Sequence, residues 1–303
     1  MSYGGAGDDR LSKNQRREAA REKARTLREE QKKKDRRSRF ILQGSLIVVS
    51  LAIIGVIILV ITSSVRPPAP GPRNMLSDGI KIGQGYKAVS TVALQPGDVP
   101  VPSASNKSDV IDIQIYVDYQ CPICAGFEAT NNAQIKSYLK TGAATLEIHP
   151  IAILDNMSLG QKYSTRAANA AACVANYSPN SYFDFNGLLF DNQPKENTEG
   201  LTDAKLASIA KQAKVSSLDS ITSCIKDETF TAWVTAATSR ATTGPIANSD
   251  VKKVAGTPTV IINGAKYDGA VNDASAFSAA IVKAAGDTFR EDATASPSPS
   301  PAP

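Results

Sequence analysis

Two cysteines separated by two residues, Cys121 and Cys124, are the side chains of this sequence best placed to do chemistry. They follow an apolar run, 110–117, that predicts a strand, and they precede residues 126–139, which predict a helix. At a strand-to-helix turn the two sulfurs are close enough to bond, and the first lies where a helix N-terminus favours negative charge. Because the thiolate is the reactive species, this arrangement predicts a redox-active disulfide.

The residues beside these sulfurs are expected to tune them. Pro122 fits the first turn of the helix, where a backbone N–H is dispensable. Ile123 brings neither a charge nor a hydrogen-bonding group. Asp118 is the nearest acid before the pair, and it would either handle a proton or, more simply, cap the end of the strand.

The N-terminal 62 residues predict a membrane anchor behind a basic tail. Residues 1–39 hold 14 Lys and Arg against 7 Asp and Glu, and residues 40–62 contain no charge over 23 positions. That length spans a bilayer core of roughly 30 Å. Few basic residues follow the segment, so the positive-inside rule places the tail in the cytoplasm and the remainder outside. A cleaved and secreted form is the alternative.

This placement decides how the other two cysteines, Cys173 and Cys224, are interpreted. Outside the cytoplasm disulfides persist, and a bond between these two would close a loop of about 50 residues and stabilise the fold by about 3–4 kcal/mol. Two buried free thiols are one alternative. A zinc site that uses all four cysteines is another, although neither Cys173 nor Cys224 belongs to a second Cys-x-x-Cys.

The remaining sequence predicts one domain between two Pro-rich segments. Residues 63–85 predict an extended linker and 291–303 a disordered Pro/Ser-rich tail. Within 86–290, edge strands are predicted over 86–101, further strands over 110–117, 145–153, 259–262 and 266–267, and a last helix over 273–285. Between them, about 160–250 is Ala-rich with apolar residues at helical spacing, which predicts a helical insertion.

This order of elements resembles the DsbA-like family of thioredoxin-fold proteins, in an α/β fold with an inserted helical domain. The resemblance is carried by 118–124, which contains the Cys-x-x-Cys, and by 256–264 (GTPTVIING). It implies a cis peptide bond before Pro258, with the Thr257 backbone turned toward the sulfurs to pair with a substrate peptide. Some actinobacterial members of the family share a cysteine pair like Cys173 and Cys224.

The sequence departs from the family pattern at two positions. Family members often carry a buried acid six residues before the first cysteine, where this chain has Ile115. The family prototype has a histidine where this chain has Ile123, so we expect a less oxidising site than the prototype's.

The resemblance implies a thiol-disulfide oxidoreductase, with Cys121 attacked by substrate thiolates and Cys124 as the resolving cysteine. We expect it to introduce disulfides into unfolded exported proteins and to be re-oxidised by a quinone-linked membrane partner of the DsbB or vitamin-K-epoxide-reductase type. A disulfide reductase or isomerase, and a non-catalytic thioredoxin-like peptide-binding module, are the alternatives.

Other chemistries find little support in the sequence. The single histidine, His149, lies in a predicted strand next to Pro150 and fits a packed strand residue better than a catalyst. A Ser-His-Asp set, a phosphate-binding loop and a multi-histidine metal site are not apparent, so we expect neither a metal nor a cofactor. The basic tail has a charge suited to anionic lipid head groups, and no nucleic-acid-binding motif accompanies it.

Overall fold

The computed structural model describes residues 13–64, 69–107 and 109–295, apart from the side chains of 13–16, 19–20, 38–49, 57–64 and 288–295. The chain forms two compact units, which divide between residues 67 and 68. The predictions for 1–12 and 296–303 fall outside the described residues.

The described residues of the first unit form one helix, α1 (Lys13–Ser64), of 52 residues. It includes most of the predicted basic tail and all of the predicted anchor, 40–62. Across the described part of the chain, no helix combines the length and the apolar character needed to cross a bilayer. Anchoring by 40–62 therefore stays a prediction.

The second unit is built on a mixed sheet with the order β2-β1-β4-β3-β5-β6 in the described residues. Its strands are β1 (Ile80–Gly83), β2 (Lys87–Ala88), β3 (Ile111–Val117), β4 (Ala144–Pro150), β5 (Thr259–Ile262) and β6 (Ala265–Lys266). The central strand β3 runs parallel to β4 and antiparallel to β5. It is buried because strands flank it and both faces of the sheet are covered.

One long helix connects β3 to β4, and a helical block precedes β5. The helices are α2 (Pro122–Thr141), α3 (Tyr163–Tyr177), α4 (Tyr182–Asp191), α5 (Asp203–Gln212), α6 (Leu218–Lys226), α7 (Thr231–Thr243) and α8 (Ala274–Ala295). The Ala-rich helix α3 is almost entirely buried, since small side chains let its neighbours approach on every side. It forms the centre of the predicted helical insertion.

The helix that carries the cysteine motif is held on the sheet by large apolar side chains. Phe127, Ile135 and Leu139 of α2 are almost fully buried, and the Phe127 ring meets Phe277 of α8 edge-on at 5.5 Å. The helix ends where Gly142 adopts a left-handed conformation with φ 82° and donates its N–H to the Tyr138 carbonyl. A glycine in this conformation is a common way for a helix to end.

The structure differs from the sequence predictions mainly at the edges of the domain. The predicted linker, 63–85, is too long, because Met75 is fully buried and β1 pairs with β4. The polar and Pro-rich composition of this segment predicted a linker. The residues are ordered instead by pairing with distant strands, which composition does not reveal. Of the edge strands expected over 86–101, the structure contains the two-residue strand β2. Helix α8 continues through residues 291–295, which were predicted to belong to the disordered tail.

Candidate redox site

The turn between β3 and α2 places Cys121 at the N-cap of the helix. Pro122 occupies the first helical position, where its missing N–H costs no hydrogen bond. The Cys121 N–H donates to the Asp118 carbonyl at 2.9 Å, and the Cys121 carbonyl accepts from the Ala125 N–H at 3.2 Å. The Cys121 side chain consequently starts at the end of the helix where free N–H groups lie.

The fold brings the two sequence signatures together. Cys121 and Cys124 are free thiols, and their exposed fractions are 5% and 1%. The Cys121 thiol donates to the carbonyl oxygen of Thr257 at 3.2 Å, across 136 positions of sequence. The Thr257–Pro258 peptide bond is cis, as the resemblance implied.

The two thiols differ in acidity although they are only three positions apart, within one turn of the helix. The Cys124 thiol, the Thr257 side chain and the backbone N–H groups of residues 123 and 124 together lower the pKa of Cys121 to about 6, against an opposing effect of burial. Burial, followed by the proximity of Cys121, raises the pKa of Cys124 well above its ordinary value. Near neutral pH, Cys121 is the thiolate and Cys124 keeps its proton.

The two residues between the cysteines lie at the surface. Pro122 is exposed, and the Ile123 side chain is 58% exposed. Ile123 therefore acts on the Cys121 thiolate through its backbone N–H. Its side chain offers an apolar surface beside the reactive sulfur.

Asp118 holds the turn in place from inside the protein. It is fully buried, one carboxylate oxygen accepts from the Gln120 N–H at 2.8 Å, and the other accepts from the N–H groups of Ile153 and Leu154 at 2.8 and 3.0 Å. Burial raises its pKa, and these hydrogen bonds oppose the rise. The geometry favours the strand-end cap over direct tuning of the sulfurs.

An acid that the sequence analysis overlooked lies on α2 rather than on β3. Ile115 is a core residue, and Glu128 of α2 lines the same small cavity between helix and sheet. Burial and the nearby Asp191 raise the pKa of Glu128 to about 7, and its carboxylate accepts from the Asn132 amide at 2.8 Å. The available signal was its spacing, since residues four apart share a helix face and Glu128 follows Cys124 by four.

Gln193, just after α4, is a second residue that the sequence did not reveal. Its side-chain amide donates to the carbonyl oxygens of Cys121 and Tyr119 at 2.9 and 3.1 Å. It therefore ties the helical block to the backbone that carries the reactive sulfur. Nothing in the local sequence distinguishes this glutamine from a surface residue.

Cys173 of α3 and Cys224 of α6 are joined by a disulfide with an S–S distance of 2.05 Å. This bond is incompatible with the alternatives of two free thiols and of a zinc site built from all four cysteines.

His149 lies away from the helix that carries the redox pair. It is 4% exposed, and its ring stacks on Tyr116 with centroids 4.3 Å apart.

Comparison with known proteins agrees with this geometry. A thioredoxin family, Thioredoxin_4, matches residues 106–283, more than half of the chain. Disulfide bond formation protein D of Bacillus subtilis is 27% identical over 155 residues, which are 51% of this chain and 66% of that protein. The serine/threonine-protein kinase PknE of Mycobacterium tuberculosis is 35% identical over 118 residues, or 38% of this chain. That match spans only 20% of the kinase's length.

Among solved structures, oxidised DsbA of Mycobacterium tuberculosis superposes with a TM-score of 0.52 at 28% identity. The superposition covers 72% of this chain and 100% of that one. The family resemblance inferred from the two sequence signatures is therefore confirmed. The chain belongs to the Thioredoxin_4 family, with the fold of the DsbA-like thiol-disulfide oxidoreductases.

Proposed function

We propose that this protein is an extracytoplasmic thiol-disulfide oxidoreductase that introduces disulfides into exported proteins through Cys121 and Cys124. The observation that carries the proposal is the environment of the Cys121 sulfur. It lies at the N-cap of α2, its pKa is lowered to about 6, and it faces the Thr257 carbonyl. A non-catalytic peptide-binding module would need neither the reactive sulfur nor its stabilisation.

The reaction proceeds in two balanced exchanges. A substrate thiolate attacks Cys121 of the oxidised protein, so that a substrate–Cys121 disulfide forms, the Cys121–Cys124 bond breaks, and Cys124 leaves and takes up a proton. A second substrate thiolate then attacks the substrate sulfur and releases Cys121 as a thiolate. The substrate loses two electrons and the protein gains them as a dithiol.

The thiolate stability of Cys121 supports oxidation as the direction of the reaction. Stabilising this thiolate stabilises the reduced protein, which makes the disulfide a stronger oxidant. Because Ile123 contributes only a backbone N–H beside the sulfur, we expect a weaker oxidant than a family member with a cationic residue there.

We assign the alignment of the substrate peptide to the backbone at Thr257 and Pro258. The Thr257 backbone faces the reactive sulfur, and an extended substrate peptide could pair with it as an added strand. The exposed Ile123 side chain would contact an apolar part of the same peptide. This arrangement suits unfolded chains, whose backbone is free to pair.

The location and the partners are proposed from the sequence. The uncharged segment 40–62 would hold the domain at the outer face of the membrane, with the basic residues before it against anionic lipid. Each cycle leaves the protein reduced, so an oxidant is required to restore the disulfide, and we assign this role to a quinone-linked membrane partner of the DsbB or vitamin-K-epoxide-reductase type.

The proposal is tested with the oxidised full chain and a reduced, unfolded dithiol protein such as ribonuclease A. We expect one substrate disulfide to form for each protein disulfide lost, measured by titrating the thiols of each protein after the two are separated. Cys121→Ser should reduce the rate of disulfide transfer to that of the uncatalysed reaction. Cys124→Ser, the same chemical change one turn later, should retain a covalent adduct with an oxidised substrate. Transfer by the parent protein no faster than the uncatalysed rate would favour the non-catalytic module.

The direction of electron flow is tested by trapping thiols in living cells. An oxidase should be recovered mainly with Cys121 and Cys124 bonded. Recovery mainly as the dithiol would instead indicate a reductase or an isomerase of the same fold.

A further inference from the structure

A second cavity, of about 500 Å³, lies away from the cysteine motif. Its floor is formed by Tyr116, His149 and Ile151 at the ends of β3 and β4. One wall comes from residues 237–247, at the end of α7 and beyond, and the other from the extended segment that contains Val99 and Pro100. The volume falls within the range of small-molecule sites, roughly 300–1,000 Å³.

The sheet separates this cavity from the redox helix. Neighbouring strand residues project to opposite faces, and Ile115 and Val117 line the small cavity beside α2. Tyr116, which lies between them, therefore projects away from α2. The second cavity is consequently a site of its own and does not depend on the proposed redox function.

The cavity presents a hydroxyl group that the rest of the protein does not bind. Tyr116 is 6% exposed, and its hydroxyl forms no hydrogen bond with any residue that the structure describes. By contrast, the hydroxyl of the buried Tyr119 donates to Asn186 at 3.0 Å. The two ring nitrogens of His149 are buried without a hydrogen-bond partner among the described residues, and so they are out of reach of a molecule in the cavity. The Tyr116 hydroxyl is not closed off in this way, so a bound molecule can use it as a hydrogen-bonding group.

The charges around the cavity argue against an anionic ligand. Arg240, at the rim, is already engaged by Asp78 through two hydrogen bonds of 2.6 and 2.7 Å. Glu147 is 2% exposed, and its carboxylate lies 3.6 Å from the His149 Nε2 atom. Burial and the carboxylates of Glu147 and Asp78 raise the pKa of Tyr116, so the hydroxyl remains a hydrogen-bond donor in a region of negative potential.

We propose that this cavity binds an uncharged, largely apolar small molecule whose single polar group hydrogen-bonds to the Tyr116 hydroxyl. The apolar walls, with Ile151, Ala241 and Ile246, contact the body of the ligand. The Arg240 and Asp78 side chains are paired with each other, so neither is free to bind a charged head group.

The test uses 4-propylphenol as the probe, titrated into the full chain and followed by saturation-transfer difference NMR. We expect saturable binding. Tyr116→Phe removes only the hydroxyl and should weaken binding about 3- to 10-fold, the usual effect of one hydrogen bond. Ala241→Leu should abolish binding by filling the cavity. Tyr177→Phe, at an exposed tyrosine, is the matched control and should bind as the parent does.

A charged analogue and a redox variant complete the experiment. We expect 4-propylbenzoate to bind at least about tenfold more weakly, because its carboxylate would lie near Asp78 and Glu147. Cys121→Ser should bind 4-propylphenol unchanged, which separates this site from the redox function. Unchanged affinity in Tyr116→Phe, equal binding of the benzoate, or no saturable binding would overturn the proposal. Tyr116→Phe keeps the ring, so the test does not depend on Ala241→Leu folding.

Discussion

The protein contains two cysteine pairs that are equally buried and chemically opposite. Cys121 and Cys124 are 5% and 1% exposed, and Cys173 and Cys224 are 0% and 4% exposed. The first pair consists of free thiols beside Thr257, whereas the second is a cross-link between α3 and α6. Overall burial therefore does not distinguish the reactive pair from the structural one.

The difference lies in the polar groups around the sulfurs. Cys121 starts a helix and has hydrogen-bonding groups from Thr257 and from the first turn of α2. Cys173 lies within α3, whose backbone N–H groups are already used along the helix. A thiolate is stabilised at a helix start and not within its interior. The position of a cysteine along its helix therefore distinguishes the reactive pair from the cross-linking pair.

The largest expected effect concerns the structural pair. Replacing both Cys173 and Cys224 with Ala removes a cross-link between residues 51 apart, and should lower the free energy of unfolding by about 4 kcal/mol. Urea unfolding followed by the fluorescence of Trp233, the single tryptophan, measures it. The matched double variant of Cys121 and Cys124 should lose much less than this, and equal losses would remove the distinction between the pairs.

Of the two cysteine pairs, the reactive one alone should contribute to the pH dependence of stability. The pKa of Cys121 falls from about 9 in the unfolded chain to about 6 in the folded dithiol form, so its thiolate stabilises that form fully above pH 9. This contribution declines as pH falls and is lost below about pH 6. Unfolding of the reduced protein at pH 5, 7 and 9 measures it. The Cys121→Ser variant should lack this dependence.

Removing the Cys124 thiol should raise the pKa of Cys121, because that thiol is its main stabilising partner. Cys124→Ala should therefore reduce alkylation of Cys121 by iodoacetamide at pH 7 by about tenfold, as the thiolate fraction falls. Cys124→Ser keeps a donor and should retain most of the reactivity. Equal rates in the two variants would show that the helix terminus alone stabilises the thiolate.

The smallest expected effect tests the contact from the helical block. Gln193→Ala removes the amide that holds the Cys121 and Tyr119 carbonyls, and should slow alkylation of Cys121 about two- to threefold through a small rise in its pKa. Gln95→Ala, at an exposed glutamine, is the control. A rate unchanged from the parent would limit Gln193 to a role in folding.

Local sequence was enough to predict the central elements of the domain. Alternating apolar residues predicted β3, the Ala-rich composition predicted the helical block, and the Cys-x-x-Cys lies at the predicted strand-to-helix turn. The edges were less predictable. β1 was assigned to a linker because its four residues are ordered by pairing with β4, and such pairing leaves no local pattern.

By itself, the sequence determined the identity and spacing of the reactive cysteines and the family signatures around them, because both are local properties of the chain. The tertiary structure decided which groups face the sulfurs. It brought Thr257 to Cys121, brought the Gln193 amide to the same turn and placed Glu128 of α2 in the cavity that Ile115 lines. The contacts of Thr257 and Gln193 join residues far apart in the chain, and the Thr257 side chain is one of the groups that lower the pKa of Cys121.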